Sequence, residues 1–102
     1  MKTVLFLNKF DPSFLEIASG IRAKNEEVCA VLCQDAVYMA VKNDKTAPDF
    51  DKVTQAGVKV YLLSKDAQRR GIARSLASSI ELVDYEGLVD LLVQENQKVI
   101  NL

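Results

Sequence analysis

At 102 residues with 49% hydrophobic content, the chain is one small domain, able to bury roughly two thirds of its unfolded surface, and its composition argues against disorder. A net charge of −1 gives no global attraction to nucleic acid or membrane, so neither direct nucleic-acid binding nor a membrane surface is expected. Without histidine and with only two cysteines, the chain cannot build a Ser-His-Asp or Cys-His nucleophile, a His-ligated metal site or a four-cysteine zinc site.

The opening Met-Lys-Thr-Val-Leu-Phe-Leu-Asn-Lys holds too few apolar residues for a signal-peptide core, and Val4–Leu7 reads as a strand covered on both faces. No run reaches the ~18 apolar residues of a membrane span, so a cytoplasmic chain is expected. Asp11-Pro12 predicts a helix start, with Asp11 as N-cap and Pro12 in the first helical position. Phe14, Ile17, Ala18 and Ile21 then make one apolar stripe. Val28–Cys33 is the second strand and Ala36–Val41 a short second helix. Asn43–Pro48 is a polar loop, and Asp49–Gln55 one or two helical turns with Gly57 taking a left-handed exit. Val58–Leu63 is the third strand. Ser64 is expected to cap a short helix over Lys65–Arg70, closed by Gly71. Ile80–Val83 is a fourth strand, and from Asp84 a last helix runs to about Gln94, burying Tyr85, Leu88, Val89 and Leu92. Lys98–Leu102 can add an edge strand. Strands and helices alternate throughout, which predicts a single α/β domain over residues 1–102. Its sheet is mainly parallel and four- to five-stranded, with helices on both faces.

In such folds, chemistry and recognition sit at the carboxyl ends of strands. Here that edge holds Cys33, Gln34 and Asp35 after the second strand. Cys29 and Cys33, four residues apart on one strand, are separated by about 13 Å, far beyond disulfide reach. They are independent thiols, Cys29 in the core and Cys33 partly exposed where the strand emerges. A helix N-terminus beside Cys33 would favour its thiolate, while Asp35 would oppose it. Cys33 thus has two readings, a small apolar filler or a sulfur-carrying nucleophile. Asp35 either caps the second helix or faces a shared site, and Gln34 is a surface or interface amide. Lys65, Arg69, Arg70 and Arg74 form the one local positive excess. It is either a solvated helix face or a patch that grips an acidic partner or an RNA backbone, although no aromatic residue interleaves with it. Asn8 and Lys9 stand where a phosphoreceiver needs acidic residues, and the four glycines are too scattered for a phosphate-binding loop.

These segments resemble the DsrE/DsrF/DsrH superfamily of small sulfur-relay subunits, and within it the DsrH/TusB branch. Gln34-Asp35-Ala36-Val37 is similar to the branch's Gln/Glu-Asp-Gly-Val/Ile. Val58–Leu63 followed by Asp66 and Arg70-Gly71 resembles its strand and Asp-Leu-x-x-Arg-Gly. Ile80–Leu91 resembles its ending, a strand with Asp-Tyr opening the last helix. The resemblance implies assembly with DsrE/TusD-like and DsrF/TusC-like subunits that pass persulfide sulfur, toward 2-thiouridine at the tRNA wobble position or in dissimilatory sulfur oxidation, with no cofactor. The DsrE-type acceptor cysteine lies eight residues before the Arg-Gly glycine, and that count from Gly71 lands on Leu63. Some DsrH proteins carry a cysteine in the first helix; this chain has none between Pro12 and Ala23. Ala36 also replaces the usual glycine. The departures favour a non-catalytic partner subunit, with Asp35 and the Lys65–Arg74 segment near its interface. Two other readings stand beside it: Cys33 accepting sulfane sulfur itself, and a stand-alone homo-oligomeric binding module.

Overall fold

Five apolar runs pair side by side in the computed structural model, which describes residues 2–11, 13–41, 53–72, 76, 80–94 and 97–102. In chain order they and their connections are β1 (Lys2–Leu7), α1 (Phe14–Ala23), β2 (Val28–Leu32), a 3-10 segment (Gln34–Ala40), β3 (Lys59–Leu63), α2 (Ser64–Arg69), β4 (Ile80–Val83), α3 (Tyr85–Leu92) and β5 (Gln97–Asn101). Every strand pairing is parallel and the order is β4-β3-β2-β1-β5. The expected architecture is therefore the observed one, with five strands and the last at an edge.

Connection handedness decides which face each helix covers. The chain steps from β1 to β4 in one direction, then α3 carries it back to the free side of β1. Right-handed crossovers put α1, the 3-10 segment and α2 on one face and α3 on the other. On the first face Leu5, Leu7, Ala30, Leu32, Val60 and Leu62 pack against Phe14, Ala18, Val37 and Ala67. On the second, Val4, Cys29, Val31, Cys33, Tyr61 and Leu63 meet Leu88.

Local signals fix the helix ends. Asp11 accepts from the Ser13 N–H at 3.1 Å and from its hydroxyl at 2.6 Å but is not the N-cap: α1 begins at Phe14, so Ser13 holds that position and makes no side-chain cap bond. The bonds from Ser13 hold the Asp11 carboxyl below the usual range. Gly57 and Gly71 both adopt positive φ, +98° and +67°. After Gly71, Ile72 N–H returns to the Ala67 carbonyl and Gly71 N–H to Gln68; after Gly57, Val58 returns to Val53 and Gly57 to Thr54. Both are Schellman closures with an apolar residue following the glycine. Ser64 does not cap α2: Leu63 holds that position and no side-chain cap bond is made. The last helix is capped by Asp84, which accepts from Gly87 N–H at 2.7 Å.

Two stripes differ from expectation by one step around the helix. In α1, Leu15 is buried with Phe14 and Ala18, while Ile17 is exposed. In α3, Leu88 is buried and Leu91 and Leu92 are half-buried, whereas Tyr85 is 66% and Val89 48% exposed. Residues advance about 100° each, so Ile17 and Val89 fall roughly that far from the centre of the buried face. The Asn43–Pro48 loop, Pro12, Arg74 and the start of the Asp49–Gln55 turns lie outside the described residues; Val53–Gln55 is helical. Among the described residues no helix is long and apolar enough to cross a membrane.

Candidate functional site at the carboxyl ends of β2 and β3

The end of β2 is shaped by an unusual backbone. Cys33 is extended and donates its N–H to the Leu7 carbonyl at 2.9 Å, continuing the ladder one residue past the strand. Gln34 then turns at φ +51°, left-handed for a residue with a side chain. Its N–H would be orphaned by that turn, and the Asp66 carboxylate satisfies it through Oδ2 at 2.7 Å. Asp66 is in the first turn of α2 and is buried. One acid thus ties the start of the 3-10 segment to the helix that follows β3, with a charge-assisted bond inside the fold.

Arg70 completes the connection. Its Nη1 lies 3.8 Å from Asp66 Oδ1, one helical turn away, and its Nη2 donates to Asp35 Oδ1 at 3.2 Å. The guanidinium also sits over the Tyr38 ring, 5.9 Å from its centroid. Asp35 is therefore no cap. The 3-10 segment begins at Cys33–Gln34 without a side-chain cap, and the Asp35 carboxylate, 72% exposed, turns outward to Arg70. A 3-10 segment spans fewer residues per turn than an α-helix and so places Asp35 beside α2 instead of over its own N–H groups.

Cys33 lies beneath this rim and is not partly exposed: it is 6% accessible, packed with Leu63 and Leu88. Burial pushes its thiol up to about 11, and the negative charge of Asp66 adds to the shift. Asp66, not Asp35, is the acid the thiol feels. At pH 7 such a thiol is ionised to the extent of roughly one part in ten thousand, and the thiolate is the nucleophilic form. Cys29 is buried in the core as expected. Leu63 is likewise buried and passes straight into α2.

Of the residues singled out from the sequence, Gln34, Asp35 and Arg70 come together here. Lys65 and Arg69 stand exposed on α2 and form no ion pair with a described residue. Asp66 and Tyr38 are the organising residues that a reading for charge excess passes over. The Asp66–Arg70 spacing of four was a visible signal; the left-handed Gln34 was not. No group of three or more metal-ligating side chains occurs among the described residues.

Comparison with known proteins adds the lineage. The family described as DsrH like protein matches residues 14–98. Protein TusB of Escherichia coli strain K12 is 30% identical over 83 residues, 81% of this chain and 84% of that protein. Protein TusB of Buchnera aphidicola subsp. Baizongia pistaciae is 28% identical over 99 residues, 97% of this chain and 98% of that protein. Among solved structures, the ychN protein from E. coli superposes with a TM-score of 0.80 over 100% of both chains at 18% identity, a likeness of fold.

Proposed function

We propose that this chain, which belongs to the DsrH family, is a non-catalytic subunit of a cytoplasmic sulfur-relay complex. The family is one of sulfur-relay subunits. In this reading the chain stands beside DsrE/TusD-like and DsrF/TusC-like companions that carry the persulfide, in tRNA wobble-uridine thiolation or dissimilatory sulfur oxidation. Its own part is architectural: it presents a rigid carboxyl edge and an apolar surface for docking.

The observation that carries this reading is the state of Cys33. A sulfur acceptor must expose a thiolate to the donor, and this thiol is buried, shifted to about 11 and faced by a carboxylate. The docking side is supported by α3, where Tyr85, Val89 and Val93 stand exposed at four-residue spacing. Such a stripe lies outside the needs of the core and fits an interface.

Two measurements test it. After incubation with a persulfide donor, mass spectrometry should find no sulfur added to the wild type. A gain of one sulfur at Cys33, lost in Cys33→Ser, would replace this reading with that of a sulfur-accepting transferase. Native purification should recover DsrE- and DsrF-like companions. Recovery of a homo-oligomer alone would favour the stand-alone binding module.

A further inference from the structure

A cavity of about 340 Å³ opens at the opposite end of the sheet, where Lys2, Cys29, Lys59 and Tyr61 from β1, β2 and β3 meet Arg22 and Glu27. We propose that this cavity binds a small phosphate-type dianion. Nothing in the relay reading calls for it, and it lies about 13 Å along β2 from Cys33.

Charge is the first argument. Three cations and one carboxylate line the cavity, and none of the four forms an ion pair with a described residue. In a chain of net charge −1 this is a local concentration of positive charge around a concave wall, where low-dielectric surroundings strengthen attraction for an anion.

Fixed geometry is the second. Arg22 is held in place by its Nε–H, which donates to the Ala56 carbonyl at 2.8 Å, leaving the other guanidinium N–H groups for a ligand. Gly57, at φ +98°, makes room for it: a Cβ there would lie 3.3 Å from Arg22 Nε. Lys59 pairs with Cys29 in the β2–β3 register, so the two are neighbours on one face. Lys2 and Lys59 both line the cavity, and both favour the ionised form of the Cys29 thiol that lines it with them.

The third is a hydroxyl on the cavity wall. Tyr61 is nine-tenths buried, lines the cavity, and makes no hydrogen bond to a described residue. The ring is buried, but the hydroxyl itself reaches solvent, so it can exchange a water for a ligand oxygen. Arginine, lysine and tyrosine together are rich in donors, and the matching ligand must be rich in acceptors. A tetrahedral oxyanion meets that need, and a guanidinium fork suits it geometrically. The volume sits at the low end of small-ligand pockets and exceeds what a bare oxyanion fills, so a monoester's organic part can lie against Tyr61.

Amide NMR titration of the full chain with inorganic phosphate and with glycerol phosphate, each against sodium chloride at equal ionic strength, tests the assignment. Saturable shifts confined to the amides around residues 2, 29, 59 and 61 are expected. Lys59→Gln should weaken binding about five- to tenfold, the effect of one lost charge-assisted bond. Glu27→Gln should tighten it about twofold by removing the opposing charge. Tighter binding of glycerol phosphate supports a monoester, whereas equal binding overturns the organic part. Shifts matched by chloride, shifts that never saturate, or affinities unmoved by Lys59→Gln and Glu27→Gln would overturn the site. Unchanged amide positions elsewhere in each variant show that its fold is intact.

Discussion

The two faces of this sheet are built to different standards. On one, α1, the 3-10 segment, α2 and the Val53 turn close over a floor in which Leu5, Leu7, Leu32 and Leu62 are fully buried. On the other, α3 is the only cover among the described residues, and Leu88 is its one buried side chain. Tyr85, Val89 and Val93 remain exposed there, as does Val99 on β5. Gln97 donates from Nε2 to the Leu91 carbonyl at 2.7 Å, while its buried Oε1 has no partner among the described residues. One closed face suffices to specify a parallel sheet of this size. The other keeps its apolar surface and its polar loose ends for association.

Core truncations measure the difference directly. Phe14→Ala empties a fully buried site between α1 and the closed face, and should lower stability by about 3–5 kcal/mol in equilibrium urea unfolding. Leu88→Ala on the half-covered face should cost about 2 kcal/mol, because α3 borders solvent and can settle into the space. Equal losses would show that the second face is as tightly built as the first.

Asp66→Ala should fall between the two, at about 2–3 kcal/mol. It removes the acceptor for the Gln34 N–H at a left-handed turn made without glycine. The same change withdraws the negative charge near Cys33 and should lower that thiol's pKa, which the pH dependence of its alkylation by iodoacetamide would read. A loss below about 0.5 kcal/mol would mean that the turn holds without its acid.

Alkaline pH probes the half-covered face separately. Cys33, Cys29 and Tyr61 all lie on it, and burial raises the pKa of each. For Cys33 the folded value is about 11 against an ordinary 9.0. Between these values the unfolded chain has released the proton and the folded one has kept it. The stability this gives is therefore fully present below pH 9 and is lost as pH rises toward 11, by on the order of 2 kcal/mol. Cys33→Ala should flatten that decline relative to its own stability at pH 8, in urea titrations across the window. A decline of equal slope would place its origin elsewhere.

The sequence displayed the closed face well and the other poorly, for a physical reason. Continuous apolar runs and Schellman glycines are local signals, so the strands, Gly57 and Gly71 could all be read in advance. Which side of α3 faces inward depends on how one helix rests on a sheet, and Val89 and Leu91 are equally apolar candidates. At the carboxyl edge, Asp35 and Arg70 were visible as charges. Their meeting depends on Gln34 adopting φ +51° and on Asp66 reaching across from the next helix. Both are tertiary facts. Cys33 was placed at the right strand end, but its depth was set by Leu88, more than fifty residues later.

The smallest expected effect separates the interior of the closed face from its rim. Arg70 joins a buried acid and an exposed one, Asp66 at 3.8 Å and Asp35 at 3.2 Å, so distance alone ranks Asp35 first. Solvent reverses the order: an exposed carboxylate is hydrated and screened, and its pairing is worth little. In double-mutant cycles read by thermal unfolding, Arg70→Ala with Asp35→Ala should give a coupling of about 0.5 kcal/mol or less, fading in 1 M salt. Arg70→Ala with Asp66→Asn should give about 1 kcal/mol and resist salt, since that pair is shielded. The Tyr38 ring beneath the guanidinium holds Arg70 in position for both, so Tyr38→Leu should reduce the Asp35 coupling further while leaving Asp66 bound to the Gln34 N–H.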